Sequence, residues 1–326
     1  MRNIGKINET VLDRSVIKPI KQNKVGITGA SKGLDCAFLD NKGIATGYVA
    51  YQDAYACGHA IIQSCNNLWA QGVLPKAVSL SLSMPDSYRE IKLKELMKQA
   101  CEVAEKQSVS IIGGHTEYVQ GLPNAIVSVT AFGDIQKPMT IPKEKAGFDI
   151  VMTKWMGLLG TSVIAREMRD QLVTKLPAYY VDEAADLDQF ISIAKEAQIA
   201  MNTEGTVFMH DVAGGGIFTA IWEICKAMDC GCKIGLRDIS VLQETIEVCE
   251  YFDISPYNLR GDGSLLIITS DGEGLVEKLK AEEIMASVIG KTTDNIDRII
   301  VRDDEERFLE RGRIDELTKV LTGGEV

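Results

Sequence analysis

The sequence predicts a mixed α+β protein, with strands and helices alternating in the α/β manner, folded as two domains. Three observations carry that reading. The chain has 326 residues, more than one hydrophobic core usually serves. Its first half alternates segments of period two with segments of period 3.6. The stretch KPMTIPKEKAG over 137–147 then breaks the pattern with loop-forming prolines, lysines and a glycine. The boundary falls there, giving a first domain of residues 1–145 and a second of 146–326.

The elements follow in order. IATGYVAYQ at 44–52 reads as a strand that delivers Asp53. Ile61, Cys65, Leu68 and Gly72 recur at helical spacing, so 57–71 is a helix with one apolar stripe. Val78, Leu80 and Leu82 alternate as in a half-exposed strand. Leu93, Leu96, Met97, Ala100 and Ala104 make 91–105 an amphipathic helix. A short strand over 108–112 runs into Gly113-Gly114, where the chain is expected to turn, and 125–135 alternates again. Beyond the boundary, DIVMTKWMGLLGTSVIA gives a strand, a turn and a helix start. One long helix is predicted over 182–200, with Leu187, Phe190, Ile191, Ala194 and Ala197 on one side. Ile217, Ile221, Ile224 and Met228 mark another helix, opened by Gly214-Gly215-Gly216. Strands are expected at 264–269, 286–291 and 298–302, and a frayed end at the final GGEV.

Composition narrows the function. The formal net charge of -11 argues against a nucleic-acid binder, which needs a basic field. No apolar run approaches about 18 residues, so no membrane helix is expected. The first residues lack an apolar signal core, and the eight cysteines form no CxxC pair. Together these place the protein in a reducing cytoplasm. Cys230-Gly-Cys232 is the one close pair and reads as two thiols near a helix end rather than a metal site.

The chemistry-bearing residues cluster around glycines. Gly33 precedes Asp35 in GITGASKGLDCA, where glycine lets the backbone approach a phosphate and the aspartate can hold Mg²⁺. The spacing matches neither a Walker A nor a Rossmann fingerprint, and a surface loop is the plain alternative. Asp53, at a strand end, either reaches into a cleft or serves a turn. Asn66 and Asn67 sit in a helical stripe, where asparagine is a mediocre former. Gly113, Gly114, His115, Thr116 and Glu117 form the sharpest cluster. His115 can bond a phosphate or act as acid or base, Glu117 can bind a metal, and the alternative is a tight turn with an exposed histidine. His210 and Asp211 precede a glycine-opened helix, where Asp211 either caps the helix or leaves its amides to a phosphate. His59 is read as structural.

The order of these motifs, GLDCA, AYQDA, CNNLWAQGVLP, IIGGHTE and HDVAGGG, resembles a known superfamily. It is the PurM-like, AIR synthase-related group, which includes aminoimidazole ribonucleotide synthase, selenophosphate synthetase, thiamine-monophosphate kinase and the hydrogenase maturation factor HypE. GKINETVLDRSVI, VMTKWMGLLGTSVIA and RGDGSLLIIT are similar to the HypE-like branch. The resemblance implies an N-terminal mixed-sheet domain that binds ATP and forms a homodimer, and a C-terminal α+β domain. It implies ATP between them with Mg²⁺ on acidic groups, and activation of a carbonyl or amide oxygen by phosphorylation. The acceptor would be a small molecule or a protein-bound group.

Carried over by motif, Asp35, Asp53 and Asn67 would hold the metal. Gly33, Gly113, Gly114, Thr116, Gly214 and Gly215 would line the nucleotide, and His115 and Asp211 would be catalytic. Two departures stand out within the motifs. Asn67 replaces the family's helix aspartate, and His115 replaces a frequent aspartate of the glycine turn. The last cysteine is Cys249, whereas HypE carries its reacting group on a terminal cysteine. The leading expectation is an ATP-dependent enzyme of this superfamily, and the alternative is a nucleotide-binding, catalytically weak assembly or regulatory protein.

Overall fold

The structure, a computed structural model, describes residues 7, 9–22, 36–139, 141–310 and 314–323. Gly33, Asp35 and the final GEV lie outside the described residues. Two units are distinguished: one covers the described residues between 35 and 138, the other those from 139 onward with the helical segment at 9–22.

The first unit is a five-stranded sheet of β1 (Cys36–Leu39), β2 (Lys42–Val49), β3 (Val73–Pro85), β4 (Ser110–Val119) and β5 (Ile126–Ile135), ordered β1-β2-β5-β3-β4. Only β3 and β4 are parallel, and the helix between them, α2 (Glu90–Lys106), supplies the crossover that parallel pairing needs. The helix α1 (Ala56–Ala70) follows β2 and is buried at every position except Asn67. Period two sorts the strands. Ala45, Val49, Val127, Val129 and Ala131 are buried, and Gly47 shares their face. A Cβ on Gly47 would lie 2.2 Å from the Ala60 carbonyl, so the glycine lets the α1 backbone rest on the strand. On the opposite face, rows of mostly hydroxyl side chains cross the sheet: Thr46, Thr130 and Ser79, then Tyr48, Ser128 and Ser81, with His115 at the end of the second row.

The expected turn at Gly113-Gly114 is not there. Residues 110–119 are one strand, and the glycines serve an irregularity in its pairing with β3, where Val78 meets Ile111 but Ser79 meets Gly113. Gly114 has φ +155°, and a Cβ there would fall 1.8 Å from the Leu80 carbonyl oxygen. Glycine is required by strand-to-strand approach, not by a reversal of the chain.

The second unit has a seven-stranded sheet ordered β12-β11-β8-β10-β6-β9-β7. Its strands are β6 (Asp149–Thr153), β7 (Thr206–Asp211), β8 (Gly231–Gly235), β9 (Leu265–Thr269), β10 (Ala286–Thr293), β11 (Arg298–Arg302) and β12 (Glu305–Phe308). β9 is buried throughout and reads as a continuous apolar run. The principal helices are α3 (Leu158–Glu167), α4 (Ala178–Ala185), α5 (Ala194–Met201), α6 (Gly216–Met228), α7 (Gln243–Phe252), α8 (Gly272–Ala281) and α9 (Glu316–Leu321).

The single helix expected over 182–200 is two. α4 ends at Ala185, a tighter turn covers Asp186–Phe190, and α5 starts at Ala194. Two buried or half-buried cations hold the break open. Arg166 bonds the Ala185 carbonyl at 2.6 Å and Asp188 at 2.8 Å. Lys154 donates to the carbonyls of Phe190 (2.8 Å) and Ser192 (2.6 Å) and pairs with the buried Glu196 at 2.6 Å. Ile191 and Ile193 thereby enter the core. Helical periodicity lost to these tertiary partners.

Candidate functional site

In the first unit the candidate residues stand at two places. One is the junction of β2 and α1. Asp53 lies in the loop after β2, four residues beyond its end. Its side chain is 1% exposed, with Oδ2 2.6 Å from Nδ1 of His59 and Oδ1 accepting the Tyr55 N–H at 2.8 Å. Gln63 Oε1 accepts the Tyr48 N–H at 3.3 Å, and Asn67 Nδ2 donates to the Thr46 carbonyl at 3.2 Å. His59, Gln63 and Asn67 are four residues apart, so one stripe of α1 is stitched to β2 and its following loop.

The other place is β4. His115 and Glu117 stand two residues apart on the hydroxyl-lined face, 3.5 Å from each other and well exposed, with Ser83 Oγ donating to Glu117 at 3.4 Å. Gly113 shares that face by register, whereas Gly114 and Thr116 fall on the other. The motif therefore divides between two faces of an exposed strand rather than converging in a turn.

In the second unit three segments meet at the glycine-rich loop. Asp211 is the last residue of β7 and is buried, as is His210, whose Nδ1 lies 2.6 Å from the Asp211 carbonyl oxygen. The loop after it pairs with RGDG: Asp262 N–H donates to Val212, Gly261 N–H to Ala213, and Val212 N–H to Ser264. The N-terminal turn of α3 donates from Leu159 and Gly160 to the carbonyls of Gly261 and Arg260. Arg260 pairs with Asp262 at 2.8 Å, and a Cβ on Gly214 would lie 3.3 Å from its guanidinium.

Asp211 does not cap α6. The capping position is Gly215, in the left-handed region at φ +85°, and no side chain of the loop caps it. Its N–H is taken by Asp315, a residue 100 positions away, at 2.8 Å. Asp315 also accepts from the backbone of Arg260 (3.2 Å) and Leu317 (3.0 Å). Burial pushes the Asp315 carboxyl above its ordinary range, while Arg260 and the three amides pull it back. Asp315 and Arg260 were not weighed as site residues from sequence, and His59 was read as structural. RGDG beside HDVAGGG was a usable signal for Arg260. Nothing local marked Asp315.

Among the described residues no group of three or more His, Cys, Asp or Glu is placed to hold a metal ion. Mg²⁺ takes one or two carboxylates and completes its shell with water and phosphate oxygens. Asp53 supplies a hard oxygen donor of that kind, with each oxygen holding one donor and keeping lone-pair capacity. All eight cysteines are free thiols, and seven are buried. Burial pushes Cys57, Cys65 and Cys249 up to about 12, which keeps them protonated and unreactive at neutral pH. Among the described residues no helix is long and apolar enough to cross a membrane.

The two-unit α+β architecture, with one sheet in each unit, is that of the PurM-like class. The chain belongs to the AIR synthase-related family. Residues 35–135 match the family's N-terminal domain and 145–302 its C-terminal domain. A Methanocaldococcus jannaschii protein assigned to hydrogenase expression and formation is 23% identical over 248 residues, covering 74% of this chain and 71% of the relative. Carbamoyl dehydratase HypE of Bradyrhizobium diazoefficiens is 21% identical over 215 residues, covering 65% of this chain but only 60% of that protein. Among solved structures, HypE in a HypE–HypF complex superposes with a TM-score of 0.77 at 18% identity, covering 91% of this chain and all of the other. HypE in complex with ATP gives 0.71 at 15% identity, with 97% of each chain covered. ThiL complexed with AMPPCP and TMP gives 0.69 at 15%, covering 93% and 96%. These likenesses establish the fold.

Proposed function

We propose that this protein binds Mg-ATP and uses it to phosphorylate a carbonyl or amide oxygen on a small-molecule or protein-bound acceptor. The observation that carries the reading is the Asp53 carboxylate. It is buried at the β2–α1 junction, oriented by two donors, and stands where the family resemblance puts a metal ligand. Asp53, with Asp35 outside the described residues, would hold Mg²⁺, which when bound neutralises charge on the transferring phosphoryl group. Asn67, about 18 Å further along α1 than Tyr55, could serve only a second ion. Fold neighbours solved with ATP and with AMPPCP support the nucleotide.

The remaining assignments follow the motifs. By the family motif, Gly33, Gly113, Gly114, Thr116 and Gly214 are nucleotide-lining positions, whereas the N–H of Gly215, the sixth, is held by Asp315. His115, exposed beside Glu117, is the candidate acid or base, and Asp211 the candidate buried carboxylate of the C-terminal unit. The open face of the first sheet would join a second copy of the chain. A second reading, a nucleotide-binding assembly or regulatory protein of weak activity, is favoured by Asn67, which removes one negative ligand from the metal set.

Calorimetry of ATP binding across a Mg²⁺ series tests the proposal. The unmodified protein should bind, and Asp53→Asn should weaken binding more at low Mg²⁺ than at high. No binding at any Mg²⁺ level sinks both readings.

A further inference from the structure

We infer that His59 is a positioning residue for the metal subsite, holding the Asp53 carboxylate in the orientation from which it accepts Mg²⁺. The inference rests on the Mg-ATP reading above.

The geometry is specific. The two side chains are 4% and 1% exposed and meet at 2.6 Å, with Nδ1 facing the carboxylate and therefore carrying the proton. The second carboxylate oxygen is held by a backbone N–H from the loop itself. Two donors from two elements fix both the position and the plane of the carboxylate. A metal can then approach only along the lone pairs that remain.

The helix that carries His59 is itself fixed. Gln63 and Asn67, one and two turns further on, bond the backbone of β2 at Tyr48 and Thr46. β1 pairs with β2 only through Lys42–Ala45, so among the described residues it leaves the backbone at 46–48 to these side chains. Gly47 lets the helix backbone lie against the strand, which blocks rotation or slippage of α1. The ring of His59 therefore has one place to be.

Stability alone does not account for such a pair. A buried ionisable pair is weak evidence of stabilisation, because desolvation offsets the attraction. Three polar side chains on one stripe of this mostly buried helix, directed at Asp53 and at the strand that leads to it, fit a role in orientation. Outer-sphere partners of ligating carboxylates are worth about 10–100-fold in metal affinity.

The test uses the full chain and two substitutions that differ in where they put the N–H. His59→Asn presents its amide N–H near the position of Nδ1. His59→Gln carries its N–H further out, toward the position of Nε2. The readout is the Mg²⁺ concentration giving half-maximal ATP binding, by calorimetry, alongside thermal unfolding of each variant. His59→Gln should raise that concentration about tenfold or more, and His59→Asn should stay within about threefold of the unmodified protein. Equal Mg²⁺ dependence in all three proteins overturns the inference and leaves the Mg-ATP reading standing. So does an equal shift in both variants, which is what general loosening of α1 would give. Failure of the unmodified protein to bind ATP removes the reading and this inference with it.

Discussion

The two units treat their candidate residues in opposite ways. In the first, the sheet is covered by α1 and α2 on one face and leaves hydroxyl side chains and His115 on the other, with β4 exposed along its length. In the second, β9 is buried throughout and the glycine loop is pinned by RGDG, by the first turn of α3 and by Asp315. The second unit anchors its glycine loop from within, and the first leaves a surface for something else to meet. The same glycine-rich composition thus serves strand approach in one unit and loop anchoring in the other, and substitutions should separate them.

The largest effect is expected at the buried cation of the second unit. Glu196→Gln keeps the shape of the side chain and removes the charge that pairs with Lys154. Lys154 is buried, and desolvation already holds its pKa below the ordinary lysine value. Removing one partner of a buried pair costs about 3–5 kcal/mol. His115→Ala, on the open face, should cost less than about 0.5 kcal/mol, as exposed substitutions do. Urea unfolding separates the two, since Trp155 and Trp222 report on the second unit and Trp69 on the first. Equal losses at the two sites would erase the distinction between a closed and an open unit.

The second effect is at Asp315. Asp315→Ala leaves the N–H groups of Gly215, Arg260 and Leu317 without their acceptor, which should cost about 1–3 kcal/mol. Hydrogen exchange should quicken at those three amides before it does in β9. The pH dependence has a definite sign. A carboxyl whose folded pKa is raised binds its proton more tightly when folded. Its contribution is fully present below the ordinary value of 3.8 and is lost as pH rises through the raised one. Asp315→Asn should flatten the stability profile in that window. An unchanged slope would mean that Arg260 and the three amides balance burial.

What the sequence made legible follows from locality. The amphipathic helices α1 and α2, and the alternating β5, were readable because each carries its own period. β7, which carries His210 and Asp211, was missed because TVFMHD has no clean alternation and is defined by pairing with β9. The break at 186–193 was hidden because its cause, Lys154, lies more than thirty residues earlier. The motifs named Asp53 and the glycines by order alone. The partners that orient them, His59 on Asp53 and Asp315 on Gly215, are contacts of folded geometry, and no spacing rule announces them.

The smallest effect on the fold, and the sharpest on the comparison, is expected at the centre of the open face. Thr130 sits on β5 between Thr46 and Ser79, in a row of small side chains on the face opposite α1. If that face is where two copies of the chain meet, the unmodified protein at micromolar concentration should run at twice 35.7 kDa. Thr130→Arg would place a long charged group in the middle of the contact, where leaving a charge buried and unpaired is costly. The same arginine on a solvated face of the monomer can reach water, so the fold itself should change little. The expected outcome is therefore a halved mass by light scattering with a nearly unchanged circular dichroism spectrum. A monomeric unmodified protein would mean that the hydroxyl rows face solvent or another partner. A Thr130→Arg protein that remains dimeric would place the contact elsewhere, and the openness of the first unit would then need another explanation.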